Sequence, residues 1–455
     1  MNLAQSPGRF LVCVVLLALL TACGGASASV SPTSTGGSAT TALSDRADAA
    51  PSPMTEPAVV AAAATSAPAM AAEATAAPAS EAAPRATISP AATTAPAQAG
   101  ATQPIDQAVA LKAGAVDDNA EFAAYEAYLK NYRGDIVLPL DVSEHYVLTV
   151  TDEQQRPVLD AIVRVSNGDQ VVFKGRTYAG GKVIVFPRTV QGLDGVDALQ
   201  VEVSKGNAQM NGLLQRGQDS TQEFVLPGVI PYIEPTPLDV VFLLDATGSM
   251  GDEIYQVQRT IRSIAERIDG ISPRPQVRFG LVAYRDQGDD YVTRVYNFTD
   301  DVEVFRETLR SVSADGGGDE PEALVEGLAA SVNELGWADD AVRLVFLVAD
   351  APPHMGNNQN TTYLDEIRNA TARGVKIFPI AASNTPPQAE YVFRQLAQQT
   401  LGRFIFLTYD QGKTAGTPGE TTTMNVDSEV FTVDRLDDVV VLMVERELAL
   451  AEGRE

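Results

Sequence analysis

Leu238-Asp-Val-Val-Phe-Leu-Leu-Asp245-Ala-Thr247-Gly-Ser249-Met250 is the stretch on which the reading of this chain turns. Residues 240–244 are an unbroken apolar run, the pattern of a strand buried on both faces of a parallel sheet. The run stops at Asp245, and a helical pattern starts near Asp252. Asp245, Thr247 and Ser249 therefore fall on the turn at the strand's C-terminal end, where open α/β sheets present their ligand crevice. Their oxygens are hard donors of the kind Mg²⁺ prefers. The same residue types also do plainer work, an aspartate ending a strand and a serine capping a helix, so the motif needs support from elsewhere in the chain.

Two further stretches supply it. Residues 343–349 form a second apolar run that also ends in an aspartate, Asp350. Between the two runs lies Asp315-Gly-Gly-Gly-Asp319-Glu-Pro-Glu322, a flexible loop dense in carboxylates that opens a helix. Throughout residues 236–452 the two periodicities alternate. Strands are expected at 277–284, 292–298, 375–380 and 403–407, and helices at 253–268, 302–312, 321–335, 363–372, 390–400 and 436–450. This alternation predicts an α/β fold, a doubly wound and mostly parallel sheet with helices on both faces. Two strand ends and the acidic loop would bring several carboxylates to one edge of that sheet. There they repel and hold their protons tightly unless a divalent cation joins them.

On these residues, the region from about 237 to 450 resembles a von Willebrand factor type A domain with a metal-ion-dependent adhesion site. Asp245, Thr247 and Ser249 match its D-x-[ST]-x-S element, and Asp350 matches its later aspartate. Most such domains supply a threonine from the middle loop, which this chain lacks. Asp319-Glu-Pro-Glu322 is instead similar to the integrin beta-subunit variant, in which the glutamate after proline binds the metal. The resemblance implies Glu322 as the fourth protein ligand, with Asp319 as a substitute or as part of a neighbouring site. It also implies a second cation at Asp252 and Glu253, although acidic residues in a helix's first turn are favourable without one. The implied ion is Mg²⁺, or Mn²⁺ or Ca²⁺, with one position open for an acidic side chain of a protein partner. Extra protein carboxylates would make the metal a poorer electrophile and favour Ca²⁺.

Upstream, Arg9 precedes an apolar run at residues 10–20, the length of a signal-peptide core and too short to span a bilayer. Leu20-Thr-Ala-Cys23 follows and resembles a bacterial lipoprotein signal, in which the cysteine is acylated and becomes the first mature residue. Ordinary signal cleavage nearby is the alternative. Residues 1–22 are read as the signal and Cys23 as the lipid-bearing residue, which implies an extracytoplasmic protein anchored to the bacterial cell membrane or cell surface. Cys13 would be removed, leaving no partner for a disulfide and no thiolate metal site. Residues 23–104 are Ala, Pro, Ser, Thr and Gly almost throughout, too poor in apolar bulk to offset the entropy of folding. They read as a disordered tether with a span of roughly 50 Å or more.

Residues 105–135 carry a helical stripe, Phe122, Tyr125, Leu129 and Tyr132, ended by Gly134. Residues 136–235 switch to period two, with Asn167-Gly168 and Gly180-Gly181 placed for hairpin turns. This predicts a small antiparallel β-sandwich preceding the α/β domain. Val150-Thr-Asp, Pro157-Val158, Ala161, Val163 and Thr177-Tyr-Ala-Gly-Gly181 resemble the carboxypeptidase regulatory-like and transthyretin-like sandwiches.

With 59 acidic against 33 basic residues, the net charge of −26 argues against a nucleic-acid partner, since phosphate binding needs clustered Lys and Arg. The chain does not read as an enzyme either. It has no HExxH, and neither His145 nor His354 has a suitable serine nearby in sequence. His145 reads as a surface residue, His354 as an exposed loop residue or a rim contact, and Trp337 as core. The expectation is a lipid-anchored binding protein that uses its cation for adhesion or protein–protein interaction. A scaffold in an envelope complex is the alternative, and a metal-dependent hydrolase a more remote one.

Overall fold

In the computed structural model, residues 110–229, 235–318, 320–356, 360–410 and 418–454 are described, with only the backbone of Asp252. The expected signal peptide, Cys23, the tether and Asp319 lie outside the described residues. The first element is a strand, β1 (Lys112–Val116), where the sequence reading expected helix throughout. Its central residues, Ala113, Gly114 and Ala115, are small, and a Cβ at Gly114 would come within 2.7 Å of the rings of Phe406 and Phe431. The helix that follows, α1 (Phe122–Asn131), is shorter than the expected stripe and buries Tyr125 and Tyr128, while Tyr132 is already extended at its C-terminal end. The reason is its docking partner: the Arg394 guanidinium lies 4.0 Å from the Tyr128 ring and 5.5 Å from that of Tyr125. A cation over the aromatic faces fixes which rings turn inward.

Seven strands then form two small sheets. They are β2 (Tyr146–Thr151), β3 (Ile162–Asn167), β4 (Gln170–Arg176), β5 (Lys182–Val185), β6 (Ala198–Lys205), β7 (Ala208–Gln215) and β8 (Thr221–Val225). The sheet orders are β5-β2-β8 and β4-β3-β6-β7. Alternate residues from both, including Leu148, Val150, Val163, Val165, Val201 and Val203, meet in one apolar core, as period-two patterning requires. Two details depart from the expectation. The β2–β8 pair is parallel, so the arrangement is not wholly antiparallel. Gly180 and Gly181 carry the chain from one sheet to the other through a 3₁₀ turn, not around a hairpin.

The larger sheet is built from β9 (Pro237–Asp245), β10 (Gln276–Tyr284), β11 (Thr293–Thr299), β12 (Val342–Ala349), β13 (Val375–Ala381), β14 (Phe404–Thr408) and β15 (Asp434–Arg435), together with β1. Its order is β11-β10-β9-β12-β13-β14-β1-β15. The strands from β10 to β14 in that order run parallel. Helices α2 (Ile254–Asp269), α3 (Val302–Arg310) and α7 (Leu436–Ala451) cover one face; α4 (Leu324–Asn333), α5 (Tyr363–Arg373) and α6 (Pro387–Gln399) cover the other. Along β9, Leu238, Val240, Phe242 and Leu244 enter the first core, and Val241 and Leu243 enter the second. A strand packed on both sides must be apolar at successive positions, which is why this run showed no alternation.

Two consequences matter for the site. Parallel β9 and β12 finish at the same edge, carrying Asp245 and Asp350 to it. Because β1 is antiparallel to β14, with Lys112 opposite Thr408, the chain also enters β1 at that edge. The small sheets are fastened to the large one by Asp160, whose carboxylate receives the Arg343 guanidinium at 2.8 and 3.1 Å and the Asp340 N–H at 3.0 Å. Arg343 and Asp160 are both buried, so each depends on the other to offset its desolvation.

Candidate metal centre at the sheet edge

The turn after β9 is closed by its own side chains. Thr247 donates both its N–H and its hydroxyl to Asp245 Oδ1, at 3.0 and 2.6 Å. Tyr284, at the end of neighbouring β10, donates its hydroxyl to Asp245 Oδ2 at 3.1 Å. With two hydrogen bonds on Oδ1 and one on Oδ2, Asp245 is oriented and keeps a lone pair on Oδ2. The Ser249 hydroxyl stands 3.1 Å from that of Thr247 and donates to Asp350 Oδ1 at 3.0 Å, linking the β9 turn to the end of β12. Asp245, Thr247, Ser249 and Asp350 are thus brought together.

The glycine-rich loop is laid against this turn by backbone. Gly248 N–H donates to Gly316 O at 2.9 Å, and Asp315 N–H to Ala246 O at 3.0 Å. Glu322 N–H donates to Pro352 O at 3.0 Å, tying the loop's end to the segment after Asp350. Gly317 holds a positive φ of 62°, and a Cβ there would lie 2.8 Å from Glu322 Oε1 and 3.1 Å from Thr247 Cβ. Only glycine fits, and the contact puts Glu322 beside the Thr247 hydroxyl turn. Glu322 is 3% exposed, and its Oε2 has no hydrogen-bonding partner within the protein. A buried carboxylate oxygen without a donor is costly.

The electrostatics follow from that crowding. Burial pushes Asp245 up to about 6, against hydrogen bonds from Thr247 and Tyr284 that favour its charged form. Burial and then the charges of Asp245, Asp286, Asp289 and Asp350 push Glu322 up to about 8. Burial and the Asp245 charge push Asp350 up to about 7, while the Ser249 hydroxyl opposes the rise. Three acids at one edge therefore hold protons that a carboxylate in water would have released.

Thr247, Ser249, Glu322, Asp350 and the free lone pair of Asp245 form a set of oxygen donors that could hold a hard divalent cation. The unpartnered Glu322 Oε2 and the raised acids fit such an ion. Among the described residues no three His, Cys, Asp or Glu side chains form a metal-holding group by themselves, so the set depends on its two hydroxyls. Asp319 and the Asp252 side chain lie outside the described residues. Glu253 is buried and turned inward, its carboxylate accepting from Ser383 N–H at 3.2 Å and the Tyr409 hydroxyl at 3.4 Å.

The sequence reading missed Asp286 and Asp289, on the turn after β10. Asp289 Oδ2 accepts from Gly317 N–H at 2.8 Å and so braces the loop carrying Glu322. Asp286 Oδ1 lies 2.6 Å from His354 Nε2, which removes His354 from the role of a bare loop residue. The signal was available: β10 neighbours β9 in parallel and ends in Tyr284-Arg-Asp286, so its end had to reach the same edge. His145 is half-buried against aromatic rings, its ring centroid 3.9 Å from that of Phe122, so it is neither a plain surface residue nor near this site. Trp337 packs edge-on to Phe298 with centroids 5.1 Å apart.

Residues 239–409 match the family model described as von Willebrand factor A domain. This chain contains a von Willebrand factor A domain. Such domains typically mediate protein–protein interaction and often bind a divalent cation. Curated proteins similar to it include a putative ariadne-like RING finger protein R811 of Acanthamoeba polyphaga mimivirus, 31% identical over 144 residues, which is 31% of this chain and 14% of that protein. The alpha-protein kinase vwkA of Dictyostelium discoideum is 24% identical over 170 residues, 37% of this chain and 27% of that protein. The von Willebrand factor A domain-containing protein 7 of Rattus norvegicus is 36% identical over 112 residues, 25% of this chain and 12% of that protein. The chain thus spans about a quarter or less of the length of these relatives. Among solved structures, the conserved hypothetical protein BatB from Bacteroides thetaiotaomicron overlays at TM-score 0.32 and 12% identity, covering 46% of this chain and 98% of that one.

Proposed function

We propose that this protein is a lipid-anchored, extracytoplasmic binding protein whose A domain holds a divalent cation at the β9–β12 edge and grips a protein partner through it. The observation that carries the proposal is Glu322: a buried carboxylate with one unpartnered oxygen, across Gly317 from Thr247 and close enough to Asp245 and Asp350 for burial and then their charges to raise its pKa. A hard cation supplies positive charge there and releases the protons these acids hold. The chain's own residues orient the donors: Tyr284 and Thr247 fix Asp245, Ser249 fixes Asp350, and Gly317 lets the loop approach. The ion is Mg²⁺, with Mn²⁺ or Ca²⁺ as substitutes. An acidic side chain of the partner would take its open position. The carboxylate-rich surroundings moderate that pull, so we expect affinity to rest also on contacts around the rim.

The module is read as non-catalytic. Of the chain's two histidines, His145 packs among aromatic rings and His354 is held by Asp286, so neither is hydrogen-bonded to a serine among the described residues as a nucleophile's base would be. The location reading rests on the apolar run and Cys23. Replacement of Cys23 by Ser should abolish incorporation of labelled fatty acid and release the protein from membranes. The function itself is tested by capture of the partner from envelope extracts with and without EDTA. Asp245→Ala should lose the captured protein while keeping the circular dichroism spectrum of the parent. Capture that survives both EDTA and the substitution would remove the cation from the contact.

A further inference from the structure

The edge that carries Asp245, Glu322 and Asp350 holds more negative charge than one cation can meet. Asp286 and Asp289 stand near enough to Glu322 for their charges to raise its pKa. Asp289 Oδ2 accepts from Gly317 N–H at 2.8 Å, and Gly317 abuts the buried Glu322 carboxylate, whose Oε2 has no partner within the protein. Asp290 follows directly and is exposed, as are Asp315, tied through its N–H to Ala246 O at 3.0 Å, and Glu320, two residues before Glu322. No Lys or Arg pairs with any of these five rim acids among the described residues; the one ion-pairing contact is that of Asp286 with His354 Nε2, at 2.6 Å. Arg285, next in sequence to Asp286, is turned inward, 5% exposed, with its guanidinium donating to Ser313 O at 2.9 Å. Elsewhere in the domain surface acids are answered: Asp269 by Arg274 at 2.5 Å, Asp365 by Arg368 at 2.6 Å and Asp438 by Arg267 at 2.7 Å.

A divalent ion bound here cancels two of the three charges on Asp245, Glu322 and Asp350 and leaves the rim acids unanswered. Glu320 is two residues from Glu322 and Asp290 one from Asp289, separations short of the Debye length of roughly 8 Å at physiological salt. Such a rim repels a ligand that brings a carboxylate alone and attracts one that brings cations with it. Resting on the reading of a cation-bound edge, we propose that the partner's docking segment is basic. The carboxylate that reaches the ion is flanked by lysine or arginine side chains, and these pair with Asp290, Asp315 and Glu320. An acidic segment, or an anionic lipid surface, is repelled by the same charges.

The test passes the full mature chain, in saturating Mg²⁺, over three immobilised serine-rich peptides of equal length. The first carries a central aspartate flanked by lysines, the second the same aspartate flanked by glutamates, and the third is the lysine peptide with asparagine at its centre. The first should bind about tenfold or more tighter than either of the others. Its advantage over the glutamate peptide should lie mostly in the association rate and shrink as salt is raised. Asp290→Lys combined with Glu320→Lys should cut the preference for lysine flanks by about tenfold or more. Both residues are exposed and unpaired, so the double variant should keep the parent's circular dichroism spectrum and its uptake of one Mg²⁺ per chain. Equal binding of lysine and glutamate flanks, no binding of the lysine peptide at millimolar concentration, or a preference untouched by the double substitution overturns the proposal. So does equal binding of the aspartate and asparagine peptides, because the rim would then take cations without the ion. Calorimetric Mg²⁺ uptake on the same sample separates the two claims: with uptake, any of these outcomes leaves the cation reading standing, and without uptake both fall.

Discussion

Raising the pH of the metal-free protein should destabilise it, and the size of the effect can be worked from Asp350. Its pKa is raised from 3.8 to about 7 by burial and by the charge of Asp245, so the folded state keeps a proton that the unfolded chain has already released. Stability is therefore full below about pH 4 and falls as pH climbs through the folded value, by about 1.4 kcal/mol per unit. Between pH 5 and pH 7 that is a loss of roughly 2 kcal/mol for this group alone. Asp245, raised to about 6, and Glu322, raised to about 8, act in the same direction and extend the loss toward pH 8. The three shifts are mutual, so only one group's worth is counted. The assay is urea unfolding at pH 5, 6, 7 and 8, in EDTA and in saturating Mg²⁺. In EDTA the unfolding free energy should drop by about 2–3 kcal/mol across the window, and Mg²⁺ should remove most of the drop. His145, whose pKa is lowered by burial, contributes in the opposite direction. It is remote from the edge and cancels in the difference between the two curves. A flat or rising stability in EDTA, or curves that coincide with and without Mg²⁺, would refute the reasoning.

Gly317→Ala forces a Cβ to within 2.8 Å of Glu322 Oε1 at a φ of 62°; it should cost about 1–3 kcal/mol by urea unfolding and weaken Mg²⁺ binding by calorimetry. Tyr284→Phe removes the hydroxyl that donates to Asp245 Oδ2, and should cost about 1–2 kcal/mol in the metal-free protein with a smaller loss when Mg²⁺ is bound. Arg343→Met leaves the Asp160 carboxylate buried beside Arg176, its other cation among the described residues; it should cost about 3–5 kcal/mol and loosen the small sheets from the large one, read as faster proteolysis at their junction.

Much of the A domain was legible because its strands are buried on both faces: β9 and β12 are apolar at nearly every position and stop abruptly on aspartates. The ends of α2, α5 and β13 fell within a residue or two of expectation for the same reason, the change of period being sharp. β1 was hidden. Five residues with Ala-Gly-Ala at their centre carry little periodicity, and their place in the sheet is decided by an edge offered almost three hundred residues later, at β14. Tyr128 was likewise assigned by a distant residue, Arg394, and not by helical spacing. The parallel β2–β8 pair escaped because period-two patterning reports which face is buried and is silent on strand direction. Asp245, Thr247, Ser249, Glu322 and Asp350 were named from motif and loop. Asp286 and Asp289 were not, because an acidic turn looks like any other in sequence until the strand before it is placed beside β9.

The most direct measurement is a calorimetric titration of the mature chain with Mg²⁺ at neutral pH, repeated in buffers of different ionisation enthalpy and on Asp350→Asn. One ion per chain should bind with release of protons from the crowded acids, and both the binding and the proton release should collapse in the variant. No uptake of Mg²⁺, Mn²⁺ or Ca²⁺, or uptake that Asp350→Asn leaves intact, would contradict a cation held between the ends of β9 and β12.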